Sequence, residues 1–354
     1  MSDHKINPQS YLFYTLFIIV FSLAVSCIMS PDILSSWATM ILVSFVPTQM
    51  VVTLYWRGEF PHNIFLQRQP LKGILFILLT ALVGCLVCLF TLSIVGGGTM
   101  PPTPFVTIYL IASVPVTFCL IALFGGWPFN IISKNPWLQG GMLLVAAYAI
   151  TWLLFHTLFN FSFAQDAPFY NPALDPHGVF VAWQPLTAAL DALLFMLLLA
   201  LFDFWPLSSL TQRMPLLSQQ PFCGLAALLL VALLSAILWW IFQSVIAMDI
   251  VVFMVNICVT MIFGMFILLV PLEGVRSLQI QQPWRGLALA VAAVIFAALM
   301  LMLYTFIAEK MFHFPENDKQ HAIEFWLASS MLSVTFPSMV FFAQYFHFWP
   351  FSSK

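Results

Sequence analysis

Of the 354 residues, 62% are hydrophobic and only 7% are Asp, Glu, Lys or Arg, with a net charge of -2; soluble domains carry roughly a quarter charged residues. This composition excludes a soluble globular enzyme and a basic nucleic-acid-binding surface, and it calls for a bilayer as solvent. Lipid offers no hydrogen-bond partners, so every crossing must satisfy its own backbone, and apolar runs of about twenty residues without strand alternation select helices over a barrel.

The first run, roughly 10–29, is expected to be a transmembrane helix, since it is too long and too poorly flanked for a cleaved leader. Leu23-Ala24-Val25-Ser26-Cys27 matches a lipoprotein cleavage site only loosely. Further runs follow at roughly 36–56, 71–95, 104–125, 137–160, 180–203, 221–245, 250–272, 284–307 and 322–346. The chain therefore reads as an all-α polytopic membrane protein of about ten transmembrane helices. No extramembrane stretch exceeds about twenty residues, which leaves no room for a soluble catalytic domain.

Alternate crossing puts Lys5, Arg57, Arg68, Lys72, Lys134, Arg213, Arg276, Arg285 and Lys354 on one side and only Lys310 and Lys319 on the other. Such asymmetry in short loops marks the cytoplasmic side, so both termini are expected in the cytoplasm and the membrane is expected to be a bacterial inner membrane.

An internal repeat runs through the chain. Odd-numbered spans open on an amide and a proline: Asn7-Pro8, Gln69-Pro70, Asn135-Pro136, Gln220-Pro221 and Gln282-Pro283. A glycine follows at Gly73, Gly140, Gly224 and Gly286. Proline suits a first helical turn, and glycine one turn on permits close approach of a neighbour. Even-numbered spans close on Trp127-Pro128, Trp205-Pro206 and Trp349-Pro350, or on the degenerate Phe60-Pro61 and Val270-Pro271. Five tandem helical hairpins result within one transmembrane domain, 1–354, with units at roughly 8–61, 70–128, 136–206, 221–271 and 283–350.

At mid-membrane, spans two, four and ten carry Pro47, Pro115 and Pro337 among Ser and Thr residues. A proline inside a helix frees a carbonyl. Two readings stand: tolerated kinks, or kinked even helices lining a central pathway.

Ionisable groups at bilayer depth are functional candidates by default. Asp191 stands near the middle of span six, with Gln184 and Thr187 on the same helical face. It reads as a proton- or substrate-coupling carboxylate or as a buried structural acid. Span five offers a stripe of Tyr148, Trp152, His156 and Asn160, and span eight adds Asn256 and Thr260. His156 reads as a packing residue or as a ligand. Spans five, six and eight, with two, four and ten, are expected to form a polar interior.

The segment between spans nine and ten is the most charged. Glu309, His313, His321 and Glu324 have spacings that could serve a metal, though they equally fit a solvated loop. The six cysteines lie within or at the ends of spans, and Cys85-x-x-Cys88 reads as small packing residues. Membrane haem needs paired histidines at depth, so haem is not expected, and no P-loop, dinucleotide fingerprint or nucleophile elbow occurs.

Three functions remain open. The first is a transporter or channel-like carrier for a small solute, proton-coupled through Asp191, with a site among Pro47, Pro115, Asp191, Asn256 and Pro337. The second is a structural or quinone-contacting subunit with protein partners. The third is an intramembrane, metal-dependent enzyme acting on lipid.

Overall fold

A computed structural model describes residues 8–211, 214–273, 280–312, 314 and 321–351. Lys5, Asn7, Arg213, Arg276, His313, Glu316, Asp318, Lys319 and Lys354 lie outside the described residues. Among the described residues, ten helices are long and apolar enough to cross a membrane: α1 (Ser10–Ile28), α2 (Pro31–Tyr55), α3 (Leu71–Ile94), α4 (Pro104–Leu123), α5 (Pro136–Leu158), α6 (Trp183–Leu201), α7 (Phe222–Val245), α8 (Ile250–Leu269), α9 (Trp284–Phe312) and α10 (Ala322–Tyr345). The fold is that of an all-α polytopic membrane protein.

The helices sort into two concentric rings. In the most apolar stretch of each even helix, 56–72% of residues are buried, against 11–33% for the odd helices. The even helices touch in the order α2, α4, α6, α8, α10 and back to α2, which closes a five-membered inner ring. This sorting follows from the solvent. Helices bearing Ser44, Thr48 and Gln49, or Ser113 and Thr117, leave those groups unpaired in hydrocarbon unless protein surrounds them. Helices such as α3 and α7 show lipid a row of leucines, Leu78, Leu82, Leu86 and Leu89 on one and Leu225, Leu229 and Leu233 on the other.

The outer helices ride on inner ones. α3 packs on α2 and α10, α5 on α4 and α2, α7 on α6 and α4, and α9 on α8, α10 and α6, while α1 packs on α10. The Gln-Pro-x-x-Gly sequences make these joints. Gln69 Nε2 donates to the Tyr345 carbonyl at 2.7 Å, and its Oε1 accepts the Gly73 N–H at 3.3 Å. Gln220 does the same between Leu123 O (2.9 Å) and Gly224 N (3.2 Å), and Gln282 between Leu201 O (3.3 Å) and Gly286 N (3.0 Å). Each amide thus satisfies an orphan carbonyl at the end of an inner helix and an orphan N–H at the start of an outer one. The glycines make room for aromatic rings of the inner helix ends: Phe346 over Gly73, Phe124 over Gly224, Phe202 over Gly286. At α5 the pattern is varied. Asn135 caps Trp137 N at 3.0 Å, Gly140 lies beneath Trp56, and Trp56 Nε1 donates to Pro136 O at 3.2 Å.

Four of the five inner helices, α2, α4, α6 and α10, stop on two consecutive left-handed residues: Arg57-Gly58, Gly125-Gly126, Asp203-Phe204 and His347-Phe348. The second of each pair returns its N–H to the last turn, as in Gly58 to Val52 O (2.8 Å), Gly126 to Leu120 O (2.9 Å) and Phe348 to Phe342 O (2.9 Å). This is a Schellman-type stop, and the following x-Pro prevents continuation.

Among the described glycines, Gly264 of α8 sits tightest against a neighbouring backbone: a Cβ there would strike the Ala293 carbonyl of α9. A backbone atom in a packed helix cannot swing aside as a ring can, and overpacking costs about 1–3 kcal/mol. Gly264→Ala is therefore expected to lower the thermal midpoint in detergent more than Gly286→Ala, whose new methyl meets the Phe202 ring. Gly141→Ala, which meets nothing within 4 Å, is expected to leave it unchanged.

Candidate functional site

The prolines set the geometry of the ring's interior. Pro47, Pro115 and Pro337 lie buried in α2, α4 and α10. Four residues after each, the helix widens into a π segment: Val51–Tyr55, Cys119–Leu123 and Phe341–Tyr345. The residues just before the prolines, Val46, Val114 and Phe336, line the ring axis at mid-membrane together with Val43, Ile111 and Leu332 one turn earlier. Leu190 and Leu193 of α6 and Ile262 of α8 complete the wall. All five inner helices thus contribute to an apolar constriction that leaves a void of only about 20 Å³.

A cavity opens on either side of it. Towards the face opposite the basic loops lies a vestibule of about 520 Å³, walled by the 159–182 loop and α2, α4, α6 and α10. Towards the basic face lies a cavity of about 330 Å³ bounded by all five inner helices and by Glu273. Ile111 and Leu332 belong to both vestibule and constriction, and Leu193 and Phe336 to both constriction and basic-side cavity. The three spaces are therefore stacked and contiguous along one axis. Both cavities fall within the roughly 300–1,000 Å³ typical of small-molecule sites.

The vestibule is covered by a built loop. Phe159–Asn160 and Phe180–Val181 pair as two short parallel strands, and Asp175, 5% exposed, ties the segment between them. Its Oδ1 accepts the N–H groups of Phe161 (3.2 Å) and His177 (3.0 Å), and its Oδ2 accepts the Tyr170 hydroxyl at 2.9 Å. Desolvation and this carboxylate push the Tyr170 phenol above its usual range. The clasp holds Phe161, Phe163 and Phe169 against the vestibule.

Asp191 is 1% exposed, and its Oδ1 has no hydrogen-bond partner. It does not line the axial path; its neighbour Leu190 does. The carboxyl instead lies within electrostatic range of Cys258 on α8. Asn256 Oδ1 on α8 and Ser235 Oγ on α7 are also buried without partners. Helical spacing explains the placement: the axial face of α6 is Leu186, Leu190, Leu193 and Leu197, so a stripe one residue further on turns towards α8. Along that stripe, Thr187 is spent on Trp183 O at 2.6 Å and Gln184 is exposed at the helix start. Thr260 donates to Asn256 O.

The other candidates are dispersed. α5 belongs to the outer ring, and its buried face is Gly140, Leu143, Ala147, Thr151 and Phe155. His156 lies exposed near the helix end, its Nδ1 3.0 Å from Trp152 O. Glu309 is exposed, and His313 lies outside the described residues. His321 Nε2 lies 3.6 Å from Asp249 Oδ1 and its Nδ1 3.9 Å from Glu324 Oε2. Among the described residues, no three or more His, Cys, Asp or Glu side chains are grouped to hold a metal ion.

Comparison of the chain with protein-family models, with curated proteins and with solved structures finds no match in any of the three. The constriction residues are those that sequence reasoning passed over, because ordinary Val, Ile and Leu carry no mark in an apolar helix. Their signal was positional: three of them directly precede the recurrent proline.

Asp175→Asn weakens a carboxylate clasp whose charge-assisted hydrogen bonds are worth about 1.5–3 kcal/mol each. Hydrogen exchange at the Phe161 and His177 amides is expected to accelerate on the order of tenfold or more, while α4 and α8 amides keep their rates.

Proposed function

We propose that the protein is a transporter or channel-like carrier that moves a small solute along the axis of the inner ring, with the basic face in the cytoplasm of a bacterial inner membrane. The observation that carries this reading is the pair of contiguous cavities separated by one apolar constriction to which all five inner helices contribute. A hydrophobic neck holds no ordered water and blocks ions by dewetting, so it forms a closed gate rather than an open pore. Mid-membrane helix breaks are the usual mark of a transport site, and here π segments follow the prolines in three of the five gate helices.

Asp191 supplies the coupling in this reading. It is buried on α6, a helix that packs directly on α8, and is one residue from Leu190 of the gate, so a change in its protonation alters the packing of a gate helix. Intramembrane carboxylates commonly serve as proton relays. The positive-inside asymmetry supports the orientation.

Flux through the full-length protein in proteoliposomes tests the path. Liposomes are loaded with a mixture of small alcohols, amines, sugars and acids, and efflux is read by mass spectrometry. Val114→Trp and Leu332→Trp fill the neck and are expected to abolish every flux the wild type shows. Leu193→Ala with Val114→Ala widens it and is expected to raise passive leak on the order of tenfold, the change that about 1.4 kcal/mol of barrier makes. Wild-type flux through both tryptophan variants would refute the axial path.

Asp191→Asn keeps the shape and removes the titratable proton. Uptake driven by an imposed pH gradient is expected to fall to the gradient-free rate in this variant, with downhill exchange retained. Undiminished gradient-driven uptake would remove Asp191 from the coupling role.

A further inference from the structure

The polar groups along the path share one chemical bias. In the vestibule, Ser36 Oγ donates to Asp32 O, Thr39 Oγ1 to Leu34 O at 2.7 Å, and Ser333 Oγ to Thr39 Oγ1 at 2.9 Å. Their protons are committed within the wall, so what these hydroxyls have left to offer a solute is lone pairs. Across the gate the pattern repeats. Gln49 Nε2 donates to Pro337 O at 3.2 Å, which leaves its Oε1 buried and unpaired in a residue that lines the basic-side cavity. Gln49 as a whole is 1% exposed. Thr53 Oγ1 donates to Gln49 O at 2.7 Å, and the carboxylate of Glu273 faces the same space. Among the described residues, no Lys, Arg or His lines either cavity.

Aromatic faces add to this bias. Trp183 stacks on Phe325 (centroids 5.4 Å) and lies tilted at 47° to Phe163 (5.6 Å), and all three rings line the vestibule together with Phe161 and Phe169. Ring faces carry negative quadrupole density and attract cations. The face on which the vestibule opens carries Asp32, Asp166, Asp249, Glu309 and Glu324 against Lys310 among its described residues. A field of that sign concentrates cations at the mouth.

We infer that the solute is an organic ammonium ion, a single protonated amine on an apolar or aromatic body, held in the vestibule by the Phe163–Trp183–Phe325 row and received beyond the gate by Glu273. The inference rests on the axial-path reading and names its substrate class. The ammonium N–H groups match the Glu273 carboxylate, whose Oε2 takes one long contact from Gln344 Nε2 at 3.5 Å and keeps lone pairs to spare, and the apolar body matches the gate it must pass. An anion would meet the Glu273 carboxylate and, among the described residues, no cationic side chain in either cavity. A neutral alcohol would use the wall hydroxyls while forgoing the ring faces and Glu273.

Three probes of one shape and different charge separate these classes: 2-phenylethylammonium, 2-phenylethanol and phenylacetate. Binding of radiolabelled 2-phenylethylammonium to the full-length protein in nanodiscs is measured with each unlabelled compound as competitor. The amine is expected to displace the label at a concentration at least about tenfold below either analogue, a difference near 1.4 kcal/mol. Trp183→Leu, which keeps apolar bulk and removes the ring face, is expected to weaken binding by about tenfold. Phe325→Leu provides the same readout should Trp183→Leu not yield a monodisperse protein. Equal displacement by phenylacetate or phenylethanol, unchanged binding in both leucine variants, or no binding of the amine would overturn the inference. The efflux assay keeps the two claims apart. Gate-dependent flux of an alcohol or acid with no amine preference overturns the substrate class and leaves the path standing. Amine binding without gate-dependent flux overturns the path.

Discussion

The seam between α2 and α10 is where the structure is closed, and the rest of the architecture depends on it. Two hydrogen bonds cross it, Gln49 to Pro337 O and Ser333 to Thr39, and two more tie the neighbouring α3 to α10, Gln69 to Tyr345 O and Thr80 with the Tyr345 hydroxyl at 2.8 Å. In water such bonds exchange for solvent at little net cost, but in hydrocarbon the alternative is an unsatisfied polar group. The seam joins the first hairpin to the last, so the chain is held as a ring rather than an open ribbon. A ribbon of five hairpins would show the polar faces of its even helices to lipid, and it would contain no axial space.

Closure creates a lumen, and the prolines decide its profile. A straight five-helix ring lined evenly by Leu and Val would pack into a solid core. Here the helices widen into π segments just after Pro47, Pro115 and Pro337, so the side chains before the break converge while those beyond it stand apart. The result is a tight neck bordered by two usable cavities. α6 reaches the neck with Leu190 and Leu193 and without a proline, and α8 with a single residue, Ile262. The ring is pseudo-symmetric in its frame and unequal in its lining, which is what recognition of an asymmetric solute requires.

Much of this was legible in the chain. The amide-proline openings and Trp-Pro closures marked the helix ends, because both devices answer a local problem of unsatisfied backbone at a helix terminus. The shared depth of Pro115 and Pro337 pointed to a common feature at mid-membrane, and the serines and threonines beside them marked the helices surrounded by protein. The placement of α5 was not legible. Its Tyr148, Trp152 and His156 read as an inward stripe, yet the helix buries the neighbouring small-residue face and turns His156 outward near its end. Periodicity gives a stripe and not its direction, and only packing distinguishes the face towards protein from the interfacial one. The same limit applied to Asp191, whose offset of one residue from Leu190 moves it off the axis and into buried packing.

The way outer helices ride on inner ones has a consequence for biogenesis. A ribosome delivers the hairpins in order, and α5, α7 and α9 each land on inner helices already in the membrane. α1 and α3 are made early and yet need α10, the last helix of all. Until the final hairpin arrives, the nascent protein is an incomplete arc in which α1 lacks its docking partner and α3 has only α2. Insertion therefore ends in a single locking step. A chain truncated before α10 would lose the seal of the whole assembly, since Tyr345 and Pro337 supply the acceptors that the first hairpins are waiting for.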